Sequence, residues 1–169
     1  MSKVEIREAT AADADTIHAL VQALAEFERA PDAVRATAAD FRREGFVPTP
    51  SFRCLLAEVD GQAAGFALWF YNFSTWEGRR GIYLEDIFVH EWARRLGVGE
   101  KLVRRLAAIA VEQGCARLDL WVLQWNPARR FYERLGMRHM EEWLPYRVTG
   151  DALQRLAEPQ AEKSSRSTA

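Results

Sequence analysis

The stretch from Tyr83 to Gly99, Y-L-E-D-I-F-V-H-E-W-A-R-R-L-G-V-G, holds the residues best suited to chemistry. Its first half reads as a strand of alternating and branched residues carrying two adjacent carboxylates, Glu85 and Asp86. Its second half is a short basic turn, Arg94-Arg95, that leads to Gly97 and Gly99 where a helix begins. A helix start leaves backbone N–H groups unpaired at the positive end of the macrodipole, and a turn of this kind holds phosphate. Adjacent acids most often mean nothing. In an otherwise apolar strand, however, an unpaired carboxylate is costly, which argues for a role. Proton acceptors beside a phosphate cradle are an enzyme's arrangement.

Two better-known phosphate motifs do not fit the glycines. A P-loop needs four residues between its glycines and a Ser or Thr after the Lys, but here Leu102 follows Lys101. A dinucleotide fingerprint needs a third small residue where Leu102 stands, and it follows the first strand of a βαβ unit. Metal chemistry has no support either: His18, His90 and His139 form no ligand spacing, and His90-Glu91 lacks the second His of a zinc-protease helix. Cys54 and Cys115 sit in apolar stretches and read as buried free thiols.

Composition bounds the remaining classes. A chain of 169 residues is long enough for one domain with a full core and too short for two ordinary ones. Its 49% hydrophobic and 28% charged content is that of a globular protein. A net charge of −1 gives no electrostatic reason to expect nucleic acid or an anionic membrane. The local cluster of Arg94, Arg95, Arg104 and Arg105 reads as a solvated helix face. The N-terminus, M-S-K-V-E-I-R, lacks the apolar core of a signal peptide and no apolar run is long enough to span a bilayer, so a cytoplasmic protein is expected.

The elements that must position these residues follow from periodicity. Val4 to Arg7 alternates like a strand, and Thr10-Ala-Ala-Asp13 resembles a capping box opening a helix through Ile17, Leu20, Val21, Leu24 and Phe27. The same four letters at Thr37 to Asp40 open a second helix that Gly45 would end. Phe52 to Val59, an Asp60-Gly61 turn and Ala64 to Phe73 make a hairpin, followed by a strand from Ile82 to Val89. Val98, Leu102, Leu106, Ile109 and Ala110 give a helix ending at Gly114; a strand at Arg117 to Leu123 and a helix from Ala128 to Leu135 follow. Met137 to Val148 reads as a last strand interrupted by Pro145, and residues 159–169 as a disordered tail. The expected fold is α/β, a mixed and mostly antiparallel sheet with helices on both faces, in a single domain over residues 1–158.

The pattern Arg94-x-x-Gly97-x-Gly99 between a strand and a long helix resembles the GNAT superfamily of acyl-CoA N-acyltransferases. Y-L-E-D-I-F-V at Tyr83 to Val89, Trp125-Asn126 and F-Y-x-R-x-G at Phe131 to Gly136 resemble its diamine (spermidine/spermine) acetyltransferases, in matching order and spacing. Leu24 to Glu28 and Ser74 to Arg79 look most like the thialysine N-epsilon-acetyltransferase branch. The resemblance covers roughly residues 3 to 157 and implies a twisted sheet flanked by helices, acetyl-CoA as co-substrate, a small-molecule primary amine as acceptor, no metal and a homodimer.

It also implies roles residue by residue. The CoA pyrophosphate is expected on Arg94, Arg95, Leu96, Gly97, Val98, Gly99 and Glu100. Ile87, Phe88 and Val89 are expected to meet the pantetheine arm through their backbone, with Asn126, Pro127, Ala128 and Arg129 holding the cofactor from the other side. The amine side is expected at Phe27, Glu28, Glu85, Asp86, Asp119, Leu120, Trp121 and Trp143. Glu85 is the first candidate for proton acceptor and Asp86 the second, with Tyr132 as general acid. Phe27 stands where polyamine acetylators carry tyrosine, and Gln124 where they carry an acid, so a short lysine- or thialysine-type amine is expected to be used better than a polyamine. The alternatives are a polyamine acetyltransferase, a CoA-binding sensor with decayed chemistry and an adaptor domain.

Overall fold

A computed structural model describes residues 2–159; the tail expected over 159–169 lies, apart from Pro159, outside the described residues. The chain forms two compact units, one up to Arg129 and one from Arg130 onward. The first contains β1 (Val4–Glu8), α1 (Ala14–Phe27), α2 (Ala38–Gly45), β2 (Arg53–Val59), β3 (Gln62–Ser74), β4 (Arg79–Val89), α3 (Val98–Glu112) and β5 (Leu118–Leu120). The five strands make one sheet in chain order, antiparallel except for the β4–β5 pair, which is parallel.

Both faces of the sheet are covered, which is why its inner strands read as nearly continuous apolar runs. On one face Leu55, Ala57, Ile82 and Leu84 pack against Val98, Leu102 and Leu106 of α3. On the other, Cys54, Leu56, Phe66 and Phe88 pack against Ile17, Leu20 and Leu24 of α1. Burial pushes the Cys54 thiol up to about 12, so this cysteine is a packing residue and not a nucleophile. The turn between β2 and β3 has positive φ at both Asp60 (51°) and Gly61 (82°), as a two-residue hairpin requires.

One expectation holds for a different reason and one is corrected. Gly45 is the last residue of α2, but packing, not backbone freedom, explains it: a β-carbon there would meet the Phe52 ring at 2.6 Å. α4 (Ala128–Arg134), which begins at the end of the first unit, leads to Gly136, whose φ of 88° ends it. Met137 to Val148, expected as a strand, forms no strand; α5 (Gly150–Ala157), which the sequence reading did not anticipate, follows it. No helix of the described residues is long and apolar enough to cross a membrane.

Candidate active site

The site is built on a slip in β4. Leu68 of β3 pairs with Asp86, but the next residue, Trp69, pairs with Leu84, so Glu85 is an extra residue without a partner across the ladder. Such a bulge changes the phase of the strand. Before it, Ile82 turns its N–H towards the β5 side and donates to the Arg117 carbonyl at 2.9 Å. After it, His90 donates to Ala64 at 2.8 Å on the β3 side. By antiparallel alternation Phe88 and Asp86 therefore also face β3, and the peptide groups of Ile87 and Val89 face outward. β5 stops pairing at Leu84↔Leu120, so among the described residues no strand covers β4 beyond the bulge. The result is an open backbone edge directly beside two carboxylates.

The carboxylates differ in environment. Glu85 is exposed on the bulge, whereas Asp86 is partly buried on the α1 face. Burial first, then the nearby charges of Glu85 and Glu28, pushes the Asp86 carboxyl up to about 6. Burial also raises Glu28, at the end of α1. A carboxylate titrating near neutrality in an acidic cluster is suited to hold an ammonium and take a proton from it.

The glycine turn lies at the end of the same strand. Glu91–Leu96 forms tight 3-10 turns, and Gly97 takes a left-handed φ of 73° before α3 begins at Val98. No side chain caps α3 there, and a β-carbon on Gly97 would have nothing within 4 Å. Uncapped N–H groups at the start of a 15-residue helix with open space before them fit a pyrophosphate. Arg95, Leu96 and Gly97 are exposed, whereas Val98 is fully buried and offers only its backbone. Glu100 is held by Arg104 at 2.7 Å. Arg94 donates from Nε to the Val89 carbonyl at 3.1 Å and stacks over Phe27 at 4.8 Å, so it ties the turn to the end of α1.

The other expected residues divide. Asn126 accepts the Ala128 N–H at 2.9 Å, with Pro127 between them, which starts α4 as a capping residue does. Trp125 contacts Phe27, with ring centroids 6.1 Å apart. Trp121 is exposed and set edge-on to Tyr83, and Asp119 is engaged by Arg117 at 2.8 Å and by Asn72 at 3.4 Å. Leu120 packs into the α3-side core. In the second unit, Tyr132 is buried beside Phe131 while Trp143 is exposed. Among the described residues no group of three or more His, Cys, Asp or Glu is placed to hold a metal. Sequence reasoning missed the bulge, although its signal was there: the α3-face residues of β4 are 82, 84 and 87, spaced two and then three. It also missed Arg29, which stacks on Trp125.

An open strand edge, a near-neutral carboxylate and an uncapped glycine turn are the parts of an enzyme that draws an acyl group from CoA onto an amine, and comparison with known proteins agrees. The chain is 38% identical to the thialysine N-epsilon-acetyltransferase of Bos taurus over 169 aligned residues, covering 93% of this chain and 99% of that one. It is 34% identical to the spermidine/spermine N(1)-acetyltransferase-like protein 1 of Homo sapiens over 93% of its length, though it spans only 24% of that longer protein. Among solved structures, an integron cassette protein from the mobile metagenome of V.cholerae matches with a TM-score of 0.77 and 26% identity, over 92% of this chain and 98% of that one. Residues 17–137 match the acetyltransferase (GNAT) family, and the chain belongs to it: it is an N-acetyltransferase that uses acetyl-CoA.

Proposed function

We propose that the acceptor is the side-chain amine of a lysine- or thialysine-type small molecule, acetylated by direct attack in a cytoplasmic, homodimeric enzyme whose single transferase domain spans residues 1–158. The observation that carries this reading is the partly buried Asp86 beside the bulged Glu85. The likeness to thialysine acetyltransferases over nearly the whole chain, and Phe27 in place of a tyrosine, support the choice of acceptor.

Acetyl-CoA supplies the acyl group and a thiolate leaving group. The residues do the rest. The turn from Arg94 to Glu100 holds the pyrophosphate, the outward peptide groups of Ile87 and Val89 align the pantetheine arm, and Asn126 to Arg129 close on it. A lysine-type amine has a pKa near ~10 and arrives protonated, so it must lose a proton before its nitrogen can bond the acetyl carbon. Asp86 and Glu85 bind the ammonium and take that proton together, Asp86 being the member titrating near neutrality. As the C–S bond breaks, Tyr132 gives its phenolic proton to the departing sulfur.

Release of free thiol from acetyl-CoA with a panel of amines tests this. Thialysine should give a higher kcat/KM than spermidine, and Tyr132→Phe should lower kcat by about 10²–10⁴-fold with the fold intact. A thialysine-to-spermidine ratio below one rejects the acceptor assignment, and near-normal turnover by Tyr132→Phe rejects the general acid.

A further inference from the structure

Arg29 occupies a backbone position that glycine normally takes. α1 closes with the Ala30 N–H donating to the Ala25 carbonyl at 2.8 Å and the Arg29 N–H to Glu26 at 3.1 Å, the paired bonds of a Schellman turn. The residue between them must be left-handed, and Arg29 has φ 61°. α3 and α4 close with the same pairs of bonds, and there the position is filled by Gly114 (φ 65°) and Gly136 (φ 88°). A β-carbon in this region is strained, so the side chain of Arg29, not its backbone, accounts for its presence.

That side chain reaches the aromatic pair Phe27 and Trp125 at the end of α1, and Phe27 is one of the residues expected on the amine side. Its guanidinium lies 5.0 Å from the centroid of the Trp125 ring, and Trp125 touches Phe27. Among the described residues it makes no hydrogen bond or ion pair. A guanidinium held over an aromatic ring and making no hydrogen bond keeps its N–H donors available, in the fork that fits a carboxylate. Its neighbour in the chain, Glu28, acts electrostatically on Asp86. Glu28, which acts on Asp86, is thus followed directly in the chain by a guanidinium whose N–H donors make no hydrogen bond among the described residues.

We propose that Arg29 is a specificity-determining residue that binds the α-carboxylate of an amino-acid acceptor, with Glu28 facing its α-ammonium and the side-chain amine at Asp86 and Glu85. The inference rests on the lysine- or thialysine-type acceptor reading of this site and adds to it the residue that reads the acceptor's carboxylate. Diamines and polyamines offer only cations to this end of the site, so Arg29 repels them as it attracts the carboxylate, and one charge serves both halves of the discrimination.

The experiment compares thialysine with bis(2-aminoethyl) sulfide, the same chain without its carboxylate, in the wild type, Arg29→Gly and Arg29→Lys. In Arg29→Gly the ratio of kcat/KM for thialysine over the diamine should fall roughly 3- to 10-fold, a range set by one charge-assisted contact at an exposed position, with the loss mainly in KM. Arg29→Lys should restore part of it. Because the left-handed strain is relieved, the Tm of Arg29→Gly should rise by about 2–4 °C. Turnover of both compounds with an unmoved ratio overturns the role of Arg29 alone. A wild type that acetylates neither compound overturns the amine-acetylation reading and this proposal with it.

Discussion

Asp86 is charged where the fold would be more stable with it neutral. Burial and the charges of Glu85 and Glu28 hold its carboxyl near 6, above the ordinary value of about 4. Ionising it therefore costs folding free energy; the cost is absent below about pH 4 and fully present once the pH has risen through about 6. A shift of that size corresponds to on the order of 3 kcal/mol. Asp86→Asn keeps the shape but never carries the charge, so it should stabilise the fold by about that amount at pH 8 and by almost nothing at pH 4, while acetyl transfer falls. Denaturant unfolding at the two pH values measures this, and an equal gain at both would show that the charge is not the source. Activity of the wild type should climb through pH 6 as Asp86 ionises and continue to climb as free amine accumulates. The sequence marked Glu85 and Asp86 as a pair with chemical potential. It did not tell which of them is buried, because that depends on a slip of one residue in the strand.

At the scale of elements, the signals that survived are those carried by neighbouring residues. Both Thr-Ala-Ala-Asp segments open helical turns, with Asp13 and Asp40 accepting the Thr10 and Thr37 N–H groups at 2.7 and 2.8 Å. The hairpin at Asp60-Gly61 and the helix ends at Gly114 and Gly136 were likewise legible, since each depends on a local backbone angle. Gly45 was placed correctly at the end of α2, but its reason, the Phe52 ring, comes from elsewhere in the fold and was not legible. Gly97 belongs to the local class. Its φ of 73° and the open space before it are what a phosphate cradle requires, and a β-branched side chain suits neither. Gly97→Val should weaken acetyl-CoA binding at least tenfold and amine binding far less, with a stability loss of roughly 1–2 kcal/mol from the left-handed backbone. Calorimetric titration of the folded variant decides it: unchanged acetyl-CoA affinity would remove the turn from the cofactor site.

At the scale of the whole molecule, the segment from Met137 to Val148 is where sequence and structure part. Leu144, Tyr146 and Val148 alternate as in a strand, yet a strand exists only against a partner, and a single chain's pattern cannot say where that partner lies. The segment instead exposes Trp143 (67%), Leu144 (74%) and Tyr146 (89%), and α5 behind it exposes Leu156 (72%). Consecutive large apolar side chains in water mark an interaction surface more often than a free one. A homodimer, expected from the family resemblance, would bury these residues against a second copy. Covering one aromatic and one leucine contributes about 3 kcal/mol at ~25 cal/mol/Å², and placing charges there removes it. Sedimentation should therefore find the wild type dimeric at micromolar concentration, and Trp143→Glu combined with Leu144→Glu should raise the dimer Kd by about a hundredfold without loss of helical circular dichroism. A wild type that sediments as a monomer throughout that range would reject the homodimer. A double variant that stays dimeric would move the interface away from this segment.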